Sequence, residues 1–289
     1  MAEIKGYYNK SVNILIIHNY TLKNLGDYAI LKGMIDSIRK VATSYGIRVN
    51  FYALSLTPDY DQKMMKEVFF VISVPPPVFS VKDYFFSLTF MLMSLIWAII
   101  FRLSRSFIDM SFLFPRSYRT TLKAYCNADI VVCRATDAIF CPEVFGFIPT
   151  IKGIYQLILA YLLNKDVMIY AQTILPVRRK LTGYLYKKII YLILNKAKIV
   201  TVRDTYSFNF LRYDVGFKRC LLTADPSYLL QIPLKSKHKF SSRSGITVGI
   251  IPRAYLSSME KYETYIECIA EGVKYLIEKY SATIVLFFQ

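Results

Sequence analysis

Residues 12–31 read VNILIIHNYTLKNLGDYAIL and contain, in order, an apolar run, a polar turn and the start of a helix. The run Val12–His18 is short and rich in branched apolar residues, which is typical of a buried strand. A turn at Gly26 and Asp27 then opens directly into the helix. In a parallel sheet such a turn lies at the carboxyl edge, where free backbone N–H groups and the helix dipole favour an anion or sugar hydroxyls. The glycines do not form a G-x-G-x-x-G pattern, so a dinucleotide is not indicated.

Short apolar runs separated by helical segments recur along the chain. Seven of them are predicted strands: Val12–His18, Val49–Ala53, Phe69–Val74, Ile130–Cys133, Val167–Ala171, Ile199–Val202 and Cys220–Thr223. Strands that alternate with helices predict a parallel sheet covered on both faces. We therefore expect an α/β fold in which residues 1–233 form a Rossmann-like domain.

A polar, basic stretch follows this domain. The stretch KSKHKFSSRSG lacks apolar periodicity, and residues 234–245 are therefore a predicted linker. The alternation of predicted strands and helices then resumes with a strand at Ile246–Ile251, a helix at Met259–Tyr280 and a strand at Ala282–Phe288. We expect residues 246–289 to be the start of a second Rossmann-like domain, incomplete in this chain because one β-α-β unit buries little core.

The composition excludes a disordered chain, because 54% of the 289 residues are hydrophobic, 20% are charged and the mean hydropathy is +0.33. The net charge of +17 favours an anionic partner: a phosphorylated substrate, a lipid surface or nucleic acid. No nucleic-acid module is recognisable in the sequence, so nucleic acid is not an expected partner.

Two further features predict a cytoplasmic location. The five cysteines are odd in number and none has zinc-ligand spacing, which predicts reduced thiols. Residues 1–10 lack the apolar core of a signal peptide. We therefore expect the protein to stay in the cytoplasm.

The most apolar segment is YFFSLTFMLMSLIWAIIF at Tyr84–Phe101. As a helix it would extend over about 27 Å, just enough to cross a bilayer core. A crossing would place strands of one hydrogen-bonded sheet on opposite sides of the membrane, which is not possible. We expect instead an interfacial helix on the cytoplasmic side, with Lys82, Arg102 and Arg105 meeting lipid phosphates. A helix buried in the layer that covers the sheet is the main alternative, and a true span is a third.

A second basic segment, residues 178–198, reads RRKLTGYLYKKIIYLILNKAK and has a helical apolar stripe with basic residues at other positions. The stripe is Leu181, Leu185, Ile189, Leu192 and Ile193, and the basic residues are Arg179, Lys180, Lys187 and Lys188. A solvated basic face, a contact with anionic lipid or a pyrophosphate-linked glycan, and a contact with nucleic acid remain alternatives for this segment.

Six motifs follow one another along the chain: Asn24-Leu-Gly-Asp27-Tyr-Ala-Ile-Leu, Ala128-Asp-Ile-Val-Val-Cys133, Ala171-Gln-Thr-Ile-Leu-Pro176, Val202-Arg203-Asp204 with Ser207 and Leu211, Ala224-Asp225-Pro226 with Leu229 and Leu230, and Gly249-Ile-Ile-Pro-Arg253. In order and spacing they resemble the signatures of the polysaccharide pyruvyl transferase family, over about residues 12–289. The resemblance implies two Rossmann-like domains facing a cleft, as in GT-B glycosyltransferases. One departure is RATD at residues 134–137, where the family usually has glycines, and we expect these side chains to crowd a ligand near that backbone.

The resemblance implies transfer of a pyruvyl group from phosphoenolpyruvate to two sugar hydroxyls, forming a ketal on a cell-envelope or exported glycan. Arginines suit the carboxylate and phosphate of this donor. An acid and a base must flank the pocket, because the methylene carbon is protonated and a hydroxyl attacks C2. No cofactor or metal is implied. The expected partners are phosphoenolpyruvate, a glycan acceptor that includes the lipid-linked kind, and the anionic inner face of the membrane, to which the protein would bind peripherally.

The first strand and the turn after it supply the predicted catalytic residues. His18 ends the strand and is a candidate acid or base, with a structural role as the alternative. Asp27 and Asn24 are predicted to orient the acceptor hydroxyls, with Gly26 in the same binding turn. Capping of the helix is the alternative for Asp27.

Residues at other strand ends are predicted to bind substrate. Arg203 matches the family arginine and is a candidate ligand of the donor anion, with capping or an ion pair as the alternative. Arg253 holds the equivalent place in the second domain. Gln172 and Thr173 follow a strand and are expected to face the same crevice. Asp225 either fixes the turn before Pro226 or touches the ligand.

Two other functions remain open. A GT-B glycosyltransferase that uses a nucleotide sugar would share the implied fold. A catalytically inactive, membrane-associated protein that binds glycans would fit the RATD departure and the short second domain.

Overall fold

The computed structural model describes most of the chain. The described residues are 11–78, 80–105, 107, 109–136, 140–145, 147–177, 180–230, 245–252 and 259–287. The chain divides into two compact units, Met1–Leu230 and Gln231–Gln289, called here the N-terminal and C-terminal units. The predicted linker at residues 234–245 lies, apart from Gly245, outside the described residues, and the predicted domain boundaries stay predictions.

The N-terminal unit is built on one parallel sheet. Its strands are β1 (Ser11–Ile17), β2 (Arg48–Ser55), β3 (Val68–Ile72), β4 (Ile130–Cys133), β5 (Asp166–Gln172), β6 (Ile199–Val202) and β7 (Cys220–Leu222). Within the described part of this unit, these seven strands pair in the order β3-β2-β1-β4-β5-β6-β7, every pair parallel. They are the seven predicted strands, with ends that differ by two residues or fewer, and the predicted α/β fold is confirmed.

The order in which strands are added to the sheet reverses at β1. From β1 the chain moves outward through β2 to β3, and it then returns to the other side of β1 with β4. The carboxyl ends of β1 and β4 therefore flank the point where the connections diverge. In open parallel sheets ligands bind at this switch point.

Helices connect the strands and cover both faces of the sheet. They are α1 (Leu25–Ser44), α2 (Pro58–Met64), α3 (Val81–Leu103), α4 (Arg116–Asn127), α5 (Pro142–Phe145), α6 (Phe147–Leu162), α7 (Lys180–Lys196) and α8 (Thr205–Asn209). Successive side chains of a strand point to opposite faces. Ile14 and Ile16 accordingly pack in one core cluster with α1, whereas Leu15 and Ile17 pack in a larger one with α3, α4, α6 and α7.

The predicted apolar helix is α3. Of the described residues it is the one helix long and apolar enough to cross a membrane, and only 28% of its most apolar stretch is buried. The alternative of a helix buried within the covering layer therefore does not describe α3.

The segment after β7 crosses back to the first face of the sheet and packs on α1. Asp225 begins a short 3-10 turn, Pro226–Leu229, whose backbone lies directly against Gly33. A Cβ at Gly33 would overlap the carbonyl oxygen of Pro226. The helix can approach this closely because glycine has no side chain.

The C-terminal unit contains β8 (Thr247–Ile250), α9 (Met259–Tyr280) and β9 (Thr283–Leu286). The two strands pair in parallel, with Thr247 opposite Thr283. This is the β-α-β unit that the sequence predicts.

Replacing Gly33 by alanine should lower stability, although alanine favours helix formation. The new methyl group must displace the Pro226 backbone, and overpacking of this kind costs about 1–3 kcal/mol. Val41→Ala is the matched control, because Val41 lies on the same helix, is 58% exposed and also gains helix propensity. Urea unfolding followed by circular dichroism measures both. A rise in the unfolding midpoint for Gly33→Ala would show that the close contact is not made.

Candidate functional site

Polar residues follow four neighbouring strands at the carboxyl edge of the sheet. His18 and Asn19 follow β1, Arg134 follows β4, Gln172 ends β5, and Arg203 follows β6. Since these strands are adjacent and parallel, their ends lie side by side at the switch point.

An ion pair joins β4 to the start of α1. The guanidinium of Arg134 donates to the Asp27 carboxylate at 2.5 Å and to the Asp27 carbonyl oxygen at 2.9 Å. Arg134 is fully buried, whereas the Asp27 side chain is 29% exposed. A buried guanidinium requires such a partner, because an unpaired charge in the protein interior is strongly destabilising.

The N-terminus of α1 is capped by Asn24 rather than by Asp27. The Asn24 side-chain oxygen accepts from the backbone N–H groups of Gly26 at 2.7 Å and Asp27 at 3.3 Å. Capping by Asp27, the alternative considered above, is therefore not its role. The cap engages Asn24 and Gly26 in local contacts and leaves Asp27 for Arg134.

Arg134 also changes the interpretation of the RATD segment. Its side chain extends from the end of β4 to the first turn of α1, and it fills space that a glycine would leave open. Asp137 lies outside the described residues. At Arg134 the departure from the glycine run therefore adds a buried charge to the site.

His18 is buried, and both of its ring nitrogens have partners. Nε2 donates to the carbonyl oxygen of Gly153 at 2.9 Å, and Nδ1 lies 2.9 Å from Sγ of Cys133. Because a carbonyl only accepts, the proton is on Nε2 and the Cys133 thiol donates to Nδ1. Burial lowers the pKa of His18 to about 3, despite the opposing effect of the Gly153 hydrogen bond. These contacts support the structural alternative, and acid-base action by His18 stays an unsupported prediction.

Gln156 on α6 anchors the same turn. Its Oε1 accepts from the backbone N–H of His18 at 3.1 Å, and its Nε2 donates to the carbonyl oxygen of Val74 after β3. Through Gln156, α6 therefore holds the carboxyl ends of β1 and β3 in place.

Unpartnered polar atoms cluster at the switch point. Among the described side chains, the buried atoms without a hydrogen-bond partner are both amide atoms of Asn19, Nε of Arg134 and Oε1 of Gln172. Gln172 is held by its other amide atom, since Nε2 donates to the Arg134 carbonyl oxygen and to Sγ of Cys133. A buried polar group without a partner costs about 1–3 kcal/mol. Such a group on three adjacent strands indicates a place where a polar ligand binds.

Arg203 lies in a second polar cluster, two strands from β4. It donates to the Thr173 hydroxyl at 3.0 Å and to the Asp225 carboxylate at 2.6 Å, and its side chain is 17% exposed. The structure therefore shows the ion-pair alternative for Arg203. Binding of a donor anion by this guanidinium remains a prediction.

Asp225 both pairs with Arg203 and fixes the turn before Pro226. Its second oxygen accepts from the Ser227 N–H at 2.9 Å. Burial acts to raise the pKa of Asp225, but the hydrogen bonds from Ser227 and Arg203 and the positive charge of Arg203 outweigh it. The pKa of this carboxyl therefore lies below its ordinary value. The carboxylate therefore stays charged at neutral pH and holds the guanidinium.

The motif around Asp204 has a structural explanation. Asp204 caps α8 by accepting from the Ser207 N–H at 2.7 Å, and it also accepts from the Thr173 hydroxyl at 3.2 Å. The Ser207 hydroxyl in turn accepts from the Ile174 N–H at 2.8 Å. The loop that carries Thr173 is thus tied to the segment that carries Arg203.

Sequence reasoning missed several residues of the site. Asn19 lies one residue past the first predicted strand, and Gln156 and Gly153 lie in a helix distant in sequence. Tyr20 lies within electrostatic reach of Arg134 and Asp27, and burial raises its pKa to about 12.

Arg253 lies outside the described residues. In the part of the chain that the structure describes, no group of three or more His, Cys, Asp or Glu could hold a metal ion.

Comparisons with known proteins agree with the motifs. The family model of polysaccharide pyruvyl transferase matches residues 24–289. A comparison with curated proteins found no match. Among solved structures, UDP-GlcNAc 2-epimerase from Methanocaldococcus jannaschii aligns with a TM-score of 0.50 and 13% identity over 96% of this chain. This chain spans 66% of that structure's length, and the likeness shows the fold alone.

Removing either residue of the buried Asp27–Arg134 pair should lower stability by a different amount. Asp27→Ala should cost about 3 kcal/mol, because it leaves a fully buried guanidinium without its counter-ion. Arg134→Met should cost less, since the remaining Asp27 carboxylate reaches water. A double-mutant cycle in urea tests this, and the double variant should be more stable than Asp27→Ala alone. Equal losses for the two single variants would contradict the asymmetry, and losses that simply add in the double variant would contradict the pairing.

His18 should make stability depend on pH. In the unfolded chain His18 binds a proton near pH 6.5, whereas in the folded state it stays neutral down to about pH 3. The stability that neutral His18 contributes is therefore fully present above pH 6.5 and is lost as the pH falls. The free energy of unfolding should decrease by about 2 kcal/mol between pH 7 and pH 5 from this residue. His18→Asn, which tolerates the positive φ of 64° at this position, should remove that part of the slope.

The control for the pH effect is His238→Asn, at the other histidine of the chain. The sequence predicts His238 in a linker, so its replacement should leave the slope unchanged. Urea unfolding at a series of pH values provides the measurement. Identical slopes for wild type and His18→Asn would mean that His18 is not held neutral.

Proposed function

Because the chain belongs to the polysaccharide pyruvyl transferase family, we propose that it transfers a pyruvyl group from phosphoenolpyruvate to two hydroxyls of one sugar. The product is a cyclic ketal on a cell-envelope or exported polysaccharide. The observation that carries the proposal is the switch-point cluster, in which the unpartnered amide of Asn19 and the unpartnered Oε1 of Gln172 occur at the same strand ends as the Asp27–Arg134 pair. The family match does not favour the glycosyltransferase alternative.

The cluster suits a sugar. A hydroxyl group both donates and accepts hydrogen bonds, and so does the Asn19 amide, while Oε1 of Gln172 accepts. Binding an acceptor sugar here would pair polar atoms that otherwise remain unpaired in a buried place. Asn19 and Gln172 are thus the proposed acceptor ligands.

The proposed donor site includes Arg203. Its planar guanidinium suits the carboxylate or phosphate of phosphoenolpyruvate, and Asp225 and Thr173 hold it in a defined orientation. An incoming dianion would have to compete with Asp225 for this group. Arg253 of the C-terminal unit is the second proposed donor ligand, and a cleft between two Rossmann-like domains is part of the same proposal.

The reaction balances without a cofactor. A proton adds to the methylene carbon C3 of phosphoenolpyruvate, and one sugar hydroxyl attacks C2. Phosphate then leaves, and the second hydroxyl attacks C2 and closes the ring. The two hydroxyls release two protons, of which one replaces the proton used at C3 and the other departs with phosphate.

Asp27 is the proposed base for the attacking hydroxyl. Its carboxylate is partly exposed at the site, while Arg134 balances its charge from beneath. The His18 imidazole and the Tyr20 phenol are neutral at physiological pH, because their pKa values are about 3 and about 12. In this proposal they act as fixed hydrogen-bonding groups.

Running the reaction in heavy water tests the chemistry. The protein, phosphoenolpyruvate and candidate glycans should yield phosphate and ketal in equal amounts, with a single solvent deuterium in the ketal methyl group. Asp27→Asn should lower kcat by about 100-fold or more, measured where circular dichroism shows the variant folded. Val41→Ala, remote from the site, should retain full activity.

The opposite result is equally clear. Release of a nucleoside diphosphate from a sugar donor, with no phosphate released from phosphoenolpyruvate, would refute the proposed reaction and support a glycosyltransferase.

A further inference from the structure

Helix α3 buries two serines among its core-facing residues and exposes many large apolar side chains. Its buried positions are Ser87, Phe90, Ser94, Trp97 and Ala98. The Ser94 hydroxyl hydrogen-bonds the Tyr155 hydroxyl of α6 at 2.6 Å, and the Ser87 hydroxyl donates to the Pro76 carbonyl oxygen at 3.0 Å. A helix that meets water has the opposite arrangement.

The outward side of α3 carries large apolar side chains that are 40–78% exposed. They are Val81, Tyr84, Phe85, Phe86, Leu88, Leu92, Met93, Ile96, Ile99 and Leu103. This row extends from the first residue of the helix to the last. Its environment is therefore expected to be apolar along the whole length of α3.

Helix α7 repeats the arrangement. The apolar stripe seen in its sequence is mostly outward, with Leu181, Leu185, Ile189 and Leu192 44–73% exposed, while Ile193 of the same stripe is buried. The core is met instead by a different row, which includes Gly183, Tyr186, Ile190 and Leu194.

The two helices belong to one layer. Between them lies α6, which contacts both and exposes Ile151 and Ile158. All three cover the same face of the sheet. We name the outward side chains of α3, α6 and α7 the outer apolar face. Soluble monomers rarely expose large apolar side chains on three neighbouring helices.

This face lies along a surface rather than across a bilayer. The buried positions of α3 from Ser87 to Ala98 pack on the N-terminal unit, and the chain on either side of the helix returns to β3 and β4 of the same sheet. A crossing would take the sheet into the membrane with its polar edges.

The charge of the three helices identifies the occupant. By sequence they carry seven basic residues and one acidic residue, Asp83. The basic residues are Lys82, Arg102, Lys152, Lys180, Lys187, Lys188 and Lys196. A symmetric dimer through these helices would bring two copies of the same excess positive charge together. An anionic bilayer instead accepts apolar side chains below its headgroups and lysines and arginines among its phosphates.

We propose that the outer apolar face docks the protein on an anionic lipid bilayer, with α3 and α7 lying in the interface. The proposal is independent of the pyruvyl transfer, because neither substrate takes part in it. It gives the predicted peripheral location a defined surface.

Vesicle flotation of the full chain tests the docking. The protein should float with phosphatidylcholine vesicles that contain about one third phosphatidylglycerol, and much less with phosphatidylcholine alone. Leu92→Glu with Ile96→Glu should lower the partition coefficient about tenfold or more. Arg102→Gln and Lys188→Gln should each lower it about fivefold, on anionic vesicles only.

The matched control is Val41→Glu with Met64→Glu. These residues are 58% and 43% exposed on α1 and α2, away from the outer apolar face, and their replacement should leave flotation unchanged. Circular dichroism and the urea midpoint should show every variant folded.

A fluorescence readout covers the case in which a charged variant fails to fold. The single tryptophan, Trp97, faces inward with 3% exposure, so brominated lipid should quench it little. Moving the tryptophan outward by Ile96→Trp in a Trp97→Phe background should produce strong quenching.

Equal flotation of wild type and the Leu92/Ile96 variant would overturn the proposal, and so would no flotation of wild type or equal quenching at positions 96 and 97. Retention in the vesicles after alkaline carbonate would indicate a span and would also overturn it. A dimer in light scattering that dissociates on Leu92→Glu with Ile96→Glu would assign the face to a second copy.

Discussion

The buried guanidinium of Arg134 is the constraint around which the candidate site is arranged. It is fully buried, and its counter-ion, Asp27, stands at the start of α1. A charge in this position is tolerated only while β4 and α1 keep their relative places. The pair therefore couples the fold of the switch point to the position of the partly exposed Asp27 carboxylate.

The neighbouring contacts depend on the same geometry. The Gln172 amide, at the end of β5, donates hydrogen bonds to the carbonyl oxygen of Arg134 and to Sγ of Cys133. The Cys133 thiol in turn hydrogen-bonds to Nδ1 of His18. The chain of contacts continues from His18 to Gly153 of α6. Polar groups of β1, β4, β5 and α6 thus form one connected network. The unpartnered Oε1 belongs to Gln172 of this network, and the unpartnered Asn19 amide follows His18 in the chain.

Much of this architecture follows from local patterns in the sequence. The seven strands were predictable because buried parallel strands are continuous apolar runs, and strand ends located Gln172 and Arg203 at the carboxyl edge. The partners of these residues were not predictable, since Gln156 and Asp225 come from other segments. His18 illustrates the difference: its position was evident, but its neutral state depends on burial by α6.

Periodicity likewise shows which residues share a helix face but not which face meets the core. In α7 the stripe from Leu181 to Leu192 has the spacing of a core face, yet Gly183 and Tyr186 meet the core. The choice depends on the shape of the layer beneath, which local sequence does not encode. In α3 and α7, which belong to one layer, large apolar residues point outward. Packing within the chain does not account for these residues, whereas the proposed contact with a lipid bilayer does.

Binding of the acceptor sugar at the switch-point cluster is the central part of the proposed function. A crystal structure of the full chain soaked with an acceptor glycan and phosphoenolpyruvate tests this directly. Sugar hydroxyls should lie within hydrogen-bonding distance of the Asn19 amide and Oε1 of Gln172, with one hydroxyl facing Asp27. A glycan bound elsewhere, with Asn19 and Gln172 in contact only with ordered water, would contradict it.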